Sequence, residues 1–255
     1  MKKPTDTPSI PPAIAKNKRS HRSAWAVVLG SCFLMAAAYL WVTVQRQMQA
    51  IDAGVCWSRE SGICVALYRY HDKYGRFPPA YVADKDGKPM HSWRVLVLEG
   101  LGSPEAQAAY RAYRFDEPWD GPNNRKLADR MPSDYACPSA RGSGAGSHTL
   151  ANYVLITGKD TIFRSADSAS MKELGNSGDT ILVAETVPGI PWMKPQDLEV
   201  ENMSFRINDK SRPSISSRHP ASARVMRVSG ESYRLNEILT PDAVKAMIVV
   251  RPEAK

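Results

Sequence analysis

The sequence predicts an α+β fold: a long N-terminal helix, its first half embedded in a membrane, packed on an antiparallel β-sheet with short extra helices. Three observations predict it. Ala24 to Val44 holds no charged residue, and its 21 positions would rise roughly 31 Å as a helix, about one hydrocarbon core. The helical period then continues through Val44, Met48, Ile51, Val55, Cys56, Ile63, Leu67, Tyr70 and Tyr74, with no proline between positions 24 and 76. From Phe77 onward the pattern changes to short apolar runs bounded by Gly, Pro, Ser and Asn, which reads as short helices and strands.

The apolar segment carries topology signals at both ends. Trp25 and Trp41 lie where amphipathic rings favour the interface. Residues 1–22 hold Lys2, Lys3, Lys16, Lys18, Arg19 and Arg22 against Asp6 alone, so this tail carries +5 of the formal +8 charge. The remaining +3 is spread over the rest of the chain, which excludes nucleic-acid binding as the reason for the basic balance. The positive-inside rule places residues 1–22 in the cytoplasm and residues 45–255 outside it. A cleaved signal peptide has a shorter apolar region, about 7–15 residues, followed by an A-x-A site. Neither holds here, so a retained anchor is expected. The expected organisation is a disordered basic cytoplasmic tail (1–22), a transmembrane helix (23–45), an extracytoplasmic domain (46–250) and a flexible C-terminus (251–255).

Beyond the membrane segment the helix is amphipathic. Arg46, Gln49, Asp52, Arg59, Glu60 and Arg69 are assigned to its polar face. Gly75 followed by Pro78-Pro79 predicts its end near Tyr74. Of the four cysteines, Cys32 is in the membrane segment, while Cys56, Cys64 and Cys137 face an oxidising compartment and allow at most one disulfide. Cys56 and Cys64 are about 12 Å apart along the helix axis and cannot bridge. A bond would use Cys137 with either Cys56 or Cys64, and three reduced thiols are the alternative.

Further along, Ser92–Leu101 reads as a short helix. Ser103-Pro104-Glu105 opens another, running to about Tyr113, and Asn123–Met131 a third. Strands are expected at Tyr135–Cys137, Tyr153–Thr157, Thr180–Glu185, Arg224–Val228 and Ser232–Leu235, the last two joined by Ser229-Gly230-Glu231 as a hairpin. Arg141–Ser147 is glycine- and serine-rich and reads as a flexible loop. Thr240-Pro241-Asp242 opens a final helix to about Val249.

Four constellations bear on chemistry. Asp116, Glu117, Asp120, Asn123 and Asn124 are oxygen donors of the type calcium takes, although the spacing is not that of an EF-hand, and a rigid turn closed by its own side chains is the alternative. Zinc finds no standard spacing among His71, Cys56, Cys64 and Cys137. Ser217-Arg218-His219 and His71-Asp72 supply residue types used in nucleophilic catalysis, but without a Gly-x-Ser-x-Gly elbow. No enzyme is therefore expected, and His71 at a helix end fits a capping role. Trp93, Trp119, Trp192, Tyr81, Tyr110, Tyr113 and Phe115 are expected mainly as core.

The segment Cys56 to Pro79, CWSRESGICVALYRYHDKYGRFPP, resembles that of a large bacterial family of prepilin-like proteins labelled domain of unknown function fifteen-fifty-nine, formerly solute-binding family ten. Cys56 and His71 hold the family spacing, with Tyr70, Tyr74, Gly75, Phe77, Pro78 and Pro79 in the same string. Trp93, Trp119, Cys137 in Cys-Pro-Ser, Glu185 at the end of Thr180–Glu185, and Pro191-Trp192 resemble further family blocks. Near the end the family pattern is His, nine residues, then Asp-Gly; this chain has His219 and Ser229-Gly230. The resemblance implies a pilin-like or pseudopilin-like fold: a non-enzymatic, single-pass protein of the bacterial inner membrane that contacts envelope proteins or other pilin-like subunits. A membrane-anchored solute- or calcium-binding module is the alternative expectation. The chain departs from the pattern in two respects, at the N-terminal processing signal and at the C-terminal motif. No Gly-Phe processing junction precedes the apolar run, no acidic residue lies within it, and Ser229 stands where the family has Asp.

Overall fold

The structure, a computed structural model, describes residues 18–140, 149–219 and 221–250. Most of the expected N-terminal tail, the Arg141–Ser147 loop and residues 251–255 lie outside the described residues. One helix, α1, runs from Lys18 to Tyr74. It begins inside the segment 1–22 that was expected to lack structure, because nothing from Lys18 to Ala24 breaks a helix. Among the described residues α1 is the one helix long and apolar enough to cross a membrane. Its end follows from chemistry. Gly75 adopts φ +76, a left-handed conformation that costs glycine little, and its N–H donates to the His71 carbonyl at 2.7 Å.

The chain divides into two compact units, residues 1–48 and 49–255. In the first, the described side chains of α1 are exposed; Trp25, Phe33, Tyr39 and Trp41 each show well over half of their surface. With no polar partner and no cover, these side chains match a lipid environment rather than water.

The second unit holds α1 from Gln49 onward and every other element. In chain order these are β1 (Tyr81–Ala83), β2 (Pro89–Ser92), α2 (Trp93–Leu96), α3 (Leu98–Leu101), α4 (Pro104–Ala112), β3 (Leu150–Val154), β4 (Ile156–Thr157), β5 (Phe163–Arg164), β6 (Asp167–Ser168), α5 (Met171–Leu174), β7 (Ile181–Pro191), β8 (Leu198–Glu199), β9 (Ser222–Arg227), β10 (Ser232–Asn236) and α6 (Pro241–Ala246). The principal sheet is antiparallel, in the order β10-β9-β7-β3. A small second sheet, β6-β5-β4-β8, is mixed, since β4 pairs parallel with both β5 and β8. β1 and β2 form a separate two-stranded ribbon. The α+β class read from the sequence is the class observed.

Helix starts follow the sequence closely. Ser103 caps α4 by accepting the Ala106 N–H, Thr240 caps α6 through Ala243, and Ser170 with Glu173 closes a capping box on α5. The expected Ser92–Leu101 helix is two short helices, α2 and α3, with Ser92 as the N-cap. Two expectations fail. Tyr135–Cys137 is not a strand: Ser133–Tyr135 is a 3₁₀ turn, because Pro132 and Pro138 bracket the segment and neither can donate to a ladder. Asn123–Met131 shortens to one 3₁₀ turn, Asn124–Leu127.

Packing is built around the second half of α1. Cys56, Ile63, Cys64, Ala66 and Leu67 are buried in one cluster with Tyr153, Leu182, Val183 and Met226 of the principal sheet and Val228 just beyond β9. The Tyr68 hydroxyl donates to the Val228 carbonyl, and the Tyr153 hydroxyl donates to the Cys56 carbonyl at 3.1 Å. Leu67 alone, fully buried, contributes about 2 kcal/mol of apolar burial. Glu60 corrects the sequence assignment. It was placed on the polar face, yet it is fully buried in the same stripe as Cys56 and Ile63. Of the aromatics, Trp93, Trp192 and Tyr113 are core, Tyr81, Tyr110 and Trp119 are half-buried against it, and Phe115 is largely exposed.

A second pinning point is ionic. Arg94 and Asp197, both buried, meet at 2.8 Å. Arg94 also donates to the Tyr153 carbonyl at 3.1 Å, and Asp197 accepts from Trp93 Nε1 at 3.0 Å and Leu155 N–H at 2.9 Å. Burial pushes the Asp197 carboxyl up, against the opposing pull of Arg94 and these donors. The pair ties α2 to β3 and to the loop before β8.

Candidate functional site

The described residues contain one group of cysteine, histidine and carboxylate side chains placed so that their donor atoms converge: Cys56, Cys137 and His219. Three distant parts of the sequence meet there. Cys56 is delivered by α1. Cys137 follows the 3₁₀ turn Ser133–Tyr135, where Asn152 Oδ1 of β3 accepts its N–H at 3.0 Å and Arg59 Nη1 donates to the neighbouring Ala136 carbonyl at 2.6 Å. His219 sits in the segment before β9, with its backbone N–H donating to Ser217 Oγ at 3.1 Å. Of the two partners open to Cys137 in the sequence, the structure bonds Cys56, with Cα atoms 5.2 Å apart. Cys64 is a free, buried thiol. Burial, then the nearby Glu60, pushes that thiol up to about 12, which makes it inert as a nucleophile.

His219 Nε2 lies 3.7 Å from Cys137 Sγ. Burial, with Arg224 and Arg234 nearby, holds the imidazole below its ordinary range against the opposing influence of Asp52. The neutral ring, with a lone pair available, is the form these surroundings favour.

Two carboxylates lie in the same region. Glu60 and Glu185 are both buried, and neither carboxylate has a well-formed hydrogen bond. Glu185 is carried by β7 opposite Tyr153 of β3, its cross-strand partner. Burial, then the proximity of Glu185, pushes Glu60 well up, while Arg224 draws it down. Burial pushes Glu185 up to about 7, against Ser217 and Arg224. The same two acids, after burial itself, raise the Tyr153 phenol. Protonated carboxyls are the form that burial without partners favours.

The remaining sequence motifs fall elsewhere. Glu117 is used inside its own loop: Oε1 accepts the backbone N–H of Asn123 at 2.8 Å and of Asn124 at 2.6 Å, and Oε2 accepts from Asn123 Nδ2 at 3.0 Å. Desolvation raises this carboxyl, but those donors with Arg114 outweigh it and hold it below its ordinary value. Asn124 is fully buried and bonds the Arg114, Glu117 and Pro118 carbonyls. Asp116 and Asp120 share the loop, but Asp120 engages Arg125 through its carbonyl rather than its carboxylate. The loop is closed by its own hydrogen bonds.

His71 Nε2 accepts the Met171 N–H at 3.1 Å and its ring packs on Phe77, joining the end of α1 to α5. Tyr70 and Tyr74 pack ring to ring 4.4 Å apart. Phe77, Pro78 and Trp93 are buried, Pro79 and Trp119 half-buried, and Gly230 takes φ +82 in the β9–β10 turn. Sequence reading missed the convergence of Cys137 with His219, the burial of Glu60 and the Arg94–Asp197 pair. Proline-flanked Cys137 was the available signal for the first; nothing in residue spacing marks the others.

These features define an α+β protein built on one membrane-length helix, with a buried disulfide and a half-buried histidine brought together. Residues 56–181 match the family model described as Protein of unknown function (DUF1559). The matched segment begins at Cys56 and includes Cys137 but ends before His219. No curated protein and no solved structure matched the chain.

Proposed function

We propose that this protein is a non-enzymatic, single-pass membrane-anchored protein of the bacterial inner membrane whose domain acts through protein–protein contacts in the cell envelope, in the manner of a pseudopilin-like subunit. The observation that carries it is α1. Its first part is an uncovered apolar helix, and its second part is the spine of a folded core. The basic tail gives the orientation: N-terminus in the cytoplasm, domain outside. Support for protein contacts comes from apolar side chains that α1 leaves uncovered within the domain, with Trp57, Val65 and Tyr74 each about half exposed.

Photo-crosslinkers placed at Trp57 and Val65 in intact cells test this. The expected adducts contain a second copy or another envelope protein, and Trp57→Asp removes them. A monomer without adducts would overturn the reading. Mass spectrometry of the membrane-bound chain adds a check on the anchor, since an intact N-terminus is expected.

A cleft of about 640 Å³ lined by residues that include Thr186, Ile190, Asn202, Asp209 and Arg212 favours a second reading, a membrane-anchored solute-binding module. A rise in Tm with small polar ligands, lost in Asp209→Ala, would promote it.

A further inference from the structure

The Cys56, Cys137 and His219 cluster has a second state that the disulfide conceals. The three donor atoms lie within 4.8 Å of one another. A tetrahedral zinc ion bound by two thiolates and one imidazole has donor–donor edges of about 3.5–3.8 Å. The 3.7 Å between Cys137 Sγ and His219 Nε2 already matches such an edge. Reduction lets the two sulfurs separate by side-chain rotation alone, because both backbones are held by other means. Cys56 is inside α1, with its carbonyl bonded by Tyr153, and Cys137 is fixed through Asn152 and, via Ala136, Arg59. Sulfur and imidazole donors select a thiophilic cation and disfavour calcium or magnesium.

We infer that the reduced chain binds one zinc-class divalent cation through Cys56 Sγ, Cys137 Sγ and His219 Nε2, and that forming the Cys56–Cys137 bond expels it. Three protein donors leave a fourth place for water or an exogenous ligand. The exchange balances with a dithiol as reductant. The dithiol gives up two electrons and two protons and becomes a disulfide, while the Cys56–Cys137 bond breaks to two thiols. Each thiol then releases its proton as its sulfur binds the cation.

The test uses the full chain in detergent, reduced with a phosphine, which becomes its oxide by taking oxygen from water, and titrated with zinc and with cobalt(II). The reduced chain is expected to bind one equivalent, with cobalt absorption of the tetrahedral thiolate type, and the oxidised chain none. His219→Ala leaves both cysteines and their disulfide in place and is expected to weaken zinc binding by about 100-fold or more. The Cys32→Ser/Cys64→Ser double variant is expected to bind as the parent does. The inference fails if the reduced chain binds no zinc, or if His219→Ala binds unchanged. It also fails if the double variant loses binding, if the oxidised chain binds equally, or if the reduced chain unfolds and zinc does not restore it.

Discussion

Replacing Glu185 with glutamine should change how stability depends on pH. In the folded chain, burial raises the Glu185 carboxyl from 4.5 to about 7. The folded state therefore holds this proton more tightly than the unfolded state does. Below about pH 4.5 both states are protonated and nothing is lost. As pH rises from 4.5 towards 7 the unfolded chain releases its proton first, so stability falls across this window and levels off above it. A difference of this size corresponds to about 3 kcal/mol. For a domain of this length that is a fall in Tm of about 6–12 °C between pH 4.5 and 8. Glu60 is displaced in the same direction and deepens the fall. Glu185→Gln removes the titrating group and relieves its repulsion of Glu60. The variant should therefore be the more stable form at pH 8 and show a shallower decline than the parent, the remainder coming from Glu60. Thermal denaturation of the full chain in detergent, followed by circular dichroism from pH 4.5 to 8.5, measures this. If parent and variant decline in parallel, the buried-carboxyl reasoning is wrong.

Three further outcomes are expected. Closing a loop with a separation of 81 residues makes the Cys56–Cys137 bond worth about 4.5 kcal/mol by chain entropy, so Cys137→Ser should lower denaturant stability by about 2–5 kcal/mol; no change would place the bond outside the folded core. Asp197→Ala strands the buried Arg94 guanidinium and should cost about 3–5 kcal/mol in equilibrium unfolding, whereas a loss below about 1 would mean that water solvates the pair. Leu67→Ala should cost about 2–5 kcal/mol, while Val65→Ala on the exposed side of the same helix stays within about 0.5; equal losses would refute the assigned packing face.

How far the sequence revealed the fold depended on whether the determining interactions were local. The end of α1 at Gly75, the Ser103 and Thr240 caps and the β9–β10 hairpin around Gly230 are set by neighbours a few residues apart, and each was legible. The short strands β5, β6 and β8 were not, because each has only two residues and exists by virtue of its partners, and the expected strand Tyr153–Thr157 divides into the end of β3 and the separate β4. Glu60 misled for a related reason. Helical spacing placed it beside Arg59, but spacing cannot distinguish a solvated carboxylate from one buried against Glu185, which lies far along the chain. The same holds for His219, whose place beside Cys137 is decided by where the segment before β9 passes.

The bond between α1 and the turn at Cys137 has a mechanical consequence. Tension entering along the helix from its N-terminal side meets a fork at Cys56. One path follows the peptide chain through the next 81 positions, and the other crosses directly to Cys137 and on into β3. The direct path is one covalent bond to Cys137 and then the hydrogen bond from its N–H to Asn152 of β3, so a pull along the helix reaches the sheet side of the core without first unravelling α1. A domain pulled from that end would in this way keep its helix and its sheet together while the N-terminal stretch of α1 moves.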